Sequence, residues 1–200
     1  MDTPQKLLII TGSAPCVIDD LTALPRRIPA ADDMAIGLDF MTALKSEIPR
    51  RILAADYMAI GLDAVDKYPW PIRYCATFHP AEIPQIRARR EALIGRVDFA
   101  IISHERHEFV EIFVGDWWQP SGSSSLLGVQ AALRMGYKRI ILCGCPLAGQ
   151  NDKGGKYEGF RTGWEARKKD LVDCVRSMSG WTADFLGKPT EEWLLSGEKQ

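Results

Sequence analysis

The chain has 200 residues, 46% hydrophobic and 26% charged, enough for one domain with a full core and unlike a disordered, collagen-like or low-complexity sequence. Lys and Arg number 25 against 26 Asp and Glu, a formal charge of −1, so no global field exists to hold a nucleic-acid backbone. The five cysteines are odd in number and sit mostly in apolar runs, with no CxxC pair, which argues against a disulfide framework and against zinc.

In chain order, the first apolar run, LLII at residues 7–10, is too short for a signal core or a membrane span, and the chain reads as cytosolic. It predicts a strand over residues 6–11 that ends in TGSAPC. Residues 25–39 (PRRIPAADDMAIGLD) then recur as 49–63 (PRRILAADYMAIGLD), differing only at Pro29/Leu53 and Asp33/Tyr57. Two copies are too few for a solenoid, so this reads as a local tandem duplication. The second copy runs straight into the next strand, so it takes the sheet position and the first is an insertion.

Further strands are expected at residues 57–62, 73–78, 99–103, 111–114 and 139–143, with helices over 81–94 and 124–135 between them. A Gly-rich polar stretch follows Pro146, residues 162–177 read as one charged helix, and 180–195 as a helix or two short turns packed through Trp181, Phe185 and Trp193; together 162–195 form a C-terminal helical segment. Short apolar runs alternating with helices predict a single α/β domain over residues 1–200: a Rossmann-like, doubly wound, mostly parallel sheet with helices on both faces.

Ligands bind such sheets beyond the carboxyl ends of the strands. Gly12, Ser13 and Ala14 are small enough there to let phosphate oxygens reach backbone N–H groups, although neither GxGxxG nor GxxxxGK[ST] is present. Packing explains such a turn equally well. Ser123, Ser124 and Ser125 open the second helix, where free N–H groups and the helix dipole favour an anion; a simple serine cap needs only one of them. His79 and His104 both end strands on this edge, and His79 is the acid–base candidate. His107 lies in the charged run HERHEF, whose spacing differs from HExxH, so no metal site is expected.

Asp19, Asp20, Asp63 and Asp66 could hold Mg²⁺ on a diphosphate or simply cap helices; no organic cofactor is expected. Trp117 and Trp118 suit a base platform or a hydrophobic wall, and Lys153, Lys156 or Arg161 could close over phosphate. Cys143 and Cys145, at period-two spacing, should share one face as packing residues.

The segments LIITGSAPCVIDDL and PSGSSSLLGVQAALRMGYKRIILCGCPL together resemble a superfamily in which a strand ends in a G-x-G-P-S turn and a later serine–glycine cluster opens a helix. It comprises the archaeal 6-hydroxymethylpterin diphosphokinase-like domains and, through them, certain bacterial sialyltransferases, both Rossmann-like nucleotide binders. The late block, with SMSGWT and LGKPTEEWL after it, is also similar to uncharacterised phage or prophage proteins.

The resemblance covers residues 6–195. It implies that Gly12, Ser13, Ala14 and Pro15 contact a nucleotide phosphate or ribose, as do Ser123, Ser124 and Ser125. Gly61 stands where the sialyltransferases have a nucleotide-binding Asn, so only its backbone can serve. Ser13, Ala14 and Cys16 replace Asn, Gly and Ser of the first turn, and no histidine follows His107 to act as their late general base, which tells against sialyl transfer by that mechanism. His79 stands where those enzymes have an Asn, so its role is not inherited.

The expected activity is therefore a transferase that moves a diphosphate or a nucleotide-activated, sugar-like group to a small acceptor. The alternative is a nucleotide-binding or sequestering protein without catalysis.

Overall fold

Runs such as LLII and IILC have no polar residue to turn toward water, so they are stable only as strands covered on both sides. The computed structural model describes residues 7–24, 55–68, 70–115, 122–148 and 155–196. In it these two runs are neighbours at the heart of a seven-stranded sheet. The strands are β1 Leu7–Thr11, β2 Asp56–Ile60, β3 Tyr74–Thr77, β4 Ala100–Ser103, β5 Ile112–Phe113, β6 Arg139–Cys143 and β7 Val175–Ser177. Their order is β5-β4-β3-β2-β1-β6-β7, and every adjacent pair is parallel. A parallel sheet needs crossover connections, and these carry α1 Val17–Thr22, α2 Ile83–Ile94, α3 Ser124–Arg134, α4 Lys156–Ala166 and α5 Lys168–Leu171; α6 Gly180–Leu186 and α7 Glu191–Ser196 follow the last strand.

Strand alternation sorts the core onto two faces. Ile9, Tyr57, Ala59, Cys75, Ile101 and Ile141 pack against Val17 and Leu21 of α1, Ile83 and Ile86 of α2, and Trp193 and Leu194 of α7. Leu8, Ile10, Met58, Ala76, Ile102, Ile140 and Leu142 pack against α3, Trp164 of α4, Leu171 of α5 and Leu186 of α6. With helices on both faces of an all-parallel sheet, the fold is the expected Rossmann-like α/β class.

Two expectations need correction. Residues 162–177 are not one helix: α4 ends at Ala166, α5 is a single turn, and 175–177 form an edge strand. Its outward Arg176 and its length of three residues hide it among charged neighbours. Cys143 and Cys145 do not share a face: Cys143 belongs to the α1/α2 side and Cys145 to the α3 side. Gly144 between them has φ +65°, which breaks the pleat and turns the chain over. Residues 17–22, for which no element is expected from the sequence, form a helix.

The second repeat copy supplies β2, while the first copy, residues 25–39, lies outside the described residues. Tyr57 of the second copy is buried and its ring meets Trp70 at 6.0 Å. Behind it, fully buried Arg90 of α2 pairs with Asp98 through Nε to Oδ1 at 2.7 Å and Nη2 to Oδ2 at 2.9 Å. It also donates to the carbonyls of Val65, Tyr68 and Trp70. A single guanidinium thereby fixes the β2–β3 connection.

Candidate functional site

From β1 the chain works outward through β2 to β5 on one side, and β6 returns on the other. The carboxyl ends of β1 and β6 therefore flank a topological switch point, the usual ligand crevice of such sheets. Here the two turns lock together. The Gly12 N–H donates to the Cys143 carbonyl at 2.8 Å and the Ala14 N–H to that of Gly144 at 3.3 Å. A Cβ at Gly12 would lie 2.1 Å from the Gly144 oxygen. On the opposite side, the Tyr68 hydroxyl donates to Gly12 O and the Lys67 ammonium to Ser13 O, both at 2.8 Å.

The small residues at this turn thus serve close packing of two loops, and the Gly12 and Ala14 N–H groups, expected to be free, are engaged. No described residue accepts from the Ser13 N–H. Ser13 is half-buried and Pro15 exposed.

A buried carboxylate ties the same place to β7. Asp20 Oδ2 accepts from the Gly144 N–H and from the Ser179 hydroxyl, each at 2.7 Å. Because Ser179 spends its proton on Asp20, the thiol of Cys16, 3.3 Å away, donates to Ser179. Desolvation pushes the thiols of Cys16 and Cys143 up, and those of Cys75 and Cys145 up to about 12. These four stay protonated near neutrality and offer no thiolate nucleophile.

The corner beyond β2 and β3 is different. Gly61 follows β2 with φ +68° and nothing within 4 Å of where a Cβ would stand, while its N–H is held by the Ala76 carbonyl at 2.9 Å. The amino end of α3 stands over the end of β3. Ser123 is the helix cap, accepting from the Leu126 N–H at 3.3 Å, and its Oγ also meets Ser125 Oγ at 2.9 Å and Trp164 Nε1 at 3.4 Å. Ser123 and Ser125 are buried in that cluster. Ser124 is half-buried and accepts from the Phe78 N–H at 3.1 Å, which leaves its own O–H free to donate. Gly12 follows β1 and Ser124 meets Phe78 just beyond β3, so both lie at the carboxyl edge of the sheet with β2 between them.

His79 lies on this rim, exposed, with its backbone N–H on Thr77 Oγ1 at 3.0 Å; no described residue hydrogen-bonds its ring. His104 follows β4. Its ring lies 4.3 Å from that of Phe78 at 37°, and its Nε2 is 3.2 Å from Glu105 Oε1. His104 Nδ1 is buried without a partner. His107 packs its ring 6.0 Å from Phe109.

Asp63 and Asp66 pair with Arg89 at 3.6 and 3.4 Å, and among the described residues no three His, Cys, Asp or Glu side chains gather as metal ligands would. Arg161 directs Nε and Nη2 at the Leu147 carbonyl and so fixes the loop after β6. Lys156 opens α4; Lys153, Trp117 and Trp118 lie outside the described residues. No helix among the described residues is long and apolar enough to cross a membrane.

The Asp20–Ser179 contact escapes sequence reasoning because 159 residues separate its members, and nothing in either segment marks the other as its partner. Tyr68 and Lys67 escape it for the same reason.

No family model matches the chain, and no curated protein matches it. Among solved structures it is similar to the sialyltransferase CstII from Campylobacter jejuni, determined in complex with a substrate analogue, cytidine-5'-monophosphate. The identity is 12% and the TM-score 0.49, with 98% of this chain and 100% of that chain covered.

Proposed function

We propose that the protein binds a nucleotide or nucleotide-activated group along the carboxyl rim of its sheet, and transfers a diphosphate or the activated, sugar-like group to a small acceptor. One juxtaposition carries the reading: the turn after β1, the unobstructed backbone at Gly61 and the start of α3 meet on one rim. The Ser124 and Ser125 N–H groups in the first turn of α3 and the Ser124 hydroxyl supply donors to a phosphate, and the helix dipole favours its charge. Ser13 adds an unengaged N–H from the other side of β2. Catalysis would come from holding donor and acceptor together and from neutralising charge, with any Mg²⁺ carried on the diphosphate oxygens.

A second reading, nucleotide sequestration without chemistry, is favoured by the filled switch point. There the Gly12 and Ala14 N–H groups are given to the carbonyls of Cys143 and Gly144, at and just after the end of β6, rather than to a ligand.

Thermal shift against nucleoside di- and triphosphates and CMP-, UDP- and GDP-sugars, with and without Mg²⁺, tests the shared premise. A ligand at about 100 times its Kd adds about 2.7 kcal/mol, which raises Tm by roughly 5–10 °C for a chain of this size. No shift with any of them removes the nucleotide premise. Mass spectrometry of the products then separates transfer from sequestration.

A further inference from the structure

A single phosphate needs one group of donors, whereas a diphosphate spreads its charge over two phosphorus centres and is held best where donors come in two groups. The carboxyl rim carries two such groups. One is the start of α3, with the Ser124 and Ser125 N–H groups and the Ser124 hydroxyl. The other is the turn after β1, where the Ser13 N–H meets no described acceptor. The pairing of Thr11 with Ala59 sets that turn beside Gly61. The pairing of Ile60 with Ala76 sets Gly61 level with Thr77, one residue before the Phe78 N–H that Ser124 accepts. Gly61 thus stands between the two groups, with open space where a side chain would be. Neighbouring strands lie about 4.8 Å apart, so a ligand that engages both groups reaches from β1 past β2 to β3, farther than the oxygens of one phosphate extend.

A polyanion also calls for a cation, and the chain that leaves Gly61 supplies one. Lys67 is exposed, yet its long side chain is fixed at both ends. Its ammonium donates to the Ser13 carbonyl at 2.8 Å. Its backbone lies between Val65 and Tyr68, whose carbonyls buried Arg90 holds, and the Tyr68 hydroxyl is bonded to Gly12. An ammonium has three donors, so two remain beyond the Ser13 carbonyl. The charge remains as well. The carboxylates of the same loop, Asp63 and Asp66, face Arg89 at 3.6 and 3.4 Å, and among the described residues no carboxylate pairs with Lys67. A cation held in place on the rim by a neutral carbonyl is ready to take an anion without first giving up a partner.

We infer that Lys67 is the phosphate-binding cation of the site and that the ligand is a nucleoside diphosphate, or a group activated by one; the inference rests on the nucleotide reading above. One phosphate takes the donors at the start of α3. The other takes the Lys67 ammonium and the Ser13 N–H, and the bridge between them passes Gly61. A nucleoside monophosphate fills the α3 group alone and leaves Lys67 without an anion.

The test is titration of the full chain, free of divalent metal, with matched pairs: AMP and ADP, CMP and CDP, UMP and UDP, GMP and GDP. Wild-type protein is expected to bind at least one diphosphate about tenfold tighter than its monophosphate. Lys67→Gln is expected to remove most of that preference, weakening the diphosphate about tenfold and the monophosphate less than about twofold, while Lys67→Arg keeps most of it. Ser124→Ala is expected to weaken both. The ratio of the two constants decides, because a lysine that only staples its loop to the first turn would change both ligands alike and lower Tm. Lys169→Gln serves as the control for charge: Lys169 is exposed on α5, which leads into β7 from the opposite edge of the sheet, and the ratio should not move. An unchanged ratio in Lys67→Gln overturns the assignment of Lys67. Wild-type protein that binds a monophosphate as tightly as its diphosphate overturns the diphosphate class and leaves the nucleotide reading standing. Wild-type protein that binds neither defeats that reading, and the inference with it.

Discussion

Gly12 and Gly61 each follow a buried parallel strand on the same rim, yet their surroundings are opposite. A Cβ at Gly12 would press within 2.1 Å of a backbone oxygen contributed from the far end of the chain, whereas at Gly61 it would meet nothing within 4 Å. The switch point between β1 and β6 is consequently packed by the protein's own loops, whereas the space beside Gly61, beyond β2, is open. A switch point predicts where a crevice can form; packing between the two turns decides which side of it a ligand can approach.

The strongest challenge to this contrast is Arg90→Ala, which strips the clamp from the connection that carries Lys67 and Tyr68 onto the first turn. It leaves Asp98 buried and unpaired, so chemical denaturation should show a loss of about 3–5 kcal/mol. Next comes Gly12→Ala. Backbone must move to admit the methyl group, at an expected loss of about 3 kcal/mol in the same measurement; a cost near zero would mean that the two turns are not locked.

Alkaline pH acts on the buried thiols. Cys75 and Cys145 titrate near 12 in the folded chain, raised first by desolvation, and near their ordinary value once unfolded. Between those values the unfolded state holds fewer protons, so their contribution is full below the ordinary thiol pKa and is lost as pH rises toward 12. By pH 10 each should have lost about 1.5–2 kcal/mol, and Cys75→Ala should flatten the slope.

Gly61→Ala has only its positive φ to contend with, about 1 kcal/mol, but should weaken nucleotide binding more than its effect on Tm suggests. Smallest of all, deleting residues 25–48 shortens one connection and retains β2, so stability should change by less than about 1 kcal/mol with the sheet signal in circular dichroism preserved. Loss of cooperative unfolding there would show that the first copy is integral to the domain.

Much of the sheet is legible in the sequence because β1, β3, β4 and β6 are apolar on both faces and bounded by glycine, proline or charge; their ends fall within a residue or two of expectation. The edge strand β7 is not legible, since an edge has one exposed side and Val175-Arg176-Ser177 needs no continuous apolar run. Among the candidate residues, the three serines look equivalent in sequence, and only the folded chain assigns Ser123 and Ser125 to the buried cap and Ser124 to the end of β3. The same holds for His79 and His104. Both end strands, and what separates them is a ring from the neighbouring strand and a carboxylate one residue on. Nothing local signals that Asp20 and Ser179 pair, because their meeting depends on β6 and β7 completing the sheet beside β1.

The pairing of β1 with β6 also bears on how the chain is made. Strand β1 is synthesised first, yet its second neighbour, whose residues Arg139–Cys143 pair with Leu7–Thr11, emerges more than a hundred residues later. A nascent or truncated chain that stops short of β6 presents an unpaired hydrophobic edge along Leu8 and Ile10, open to association with other chains. Expression yield should therefore depend on chaperone supply far more for fragments ending before residue 139 than for the whole protein, and refolding should be slow for its size, governed by this one distant closure.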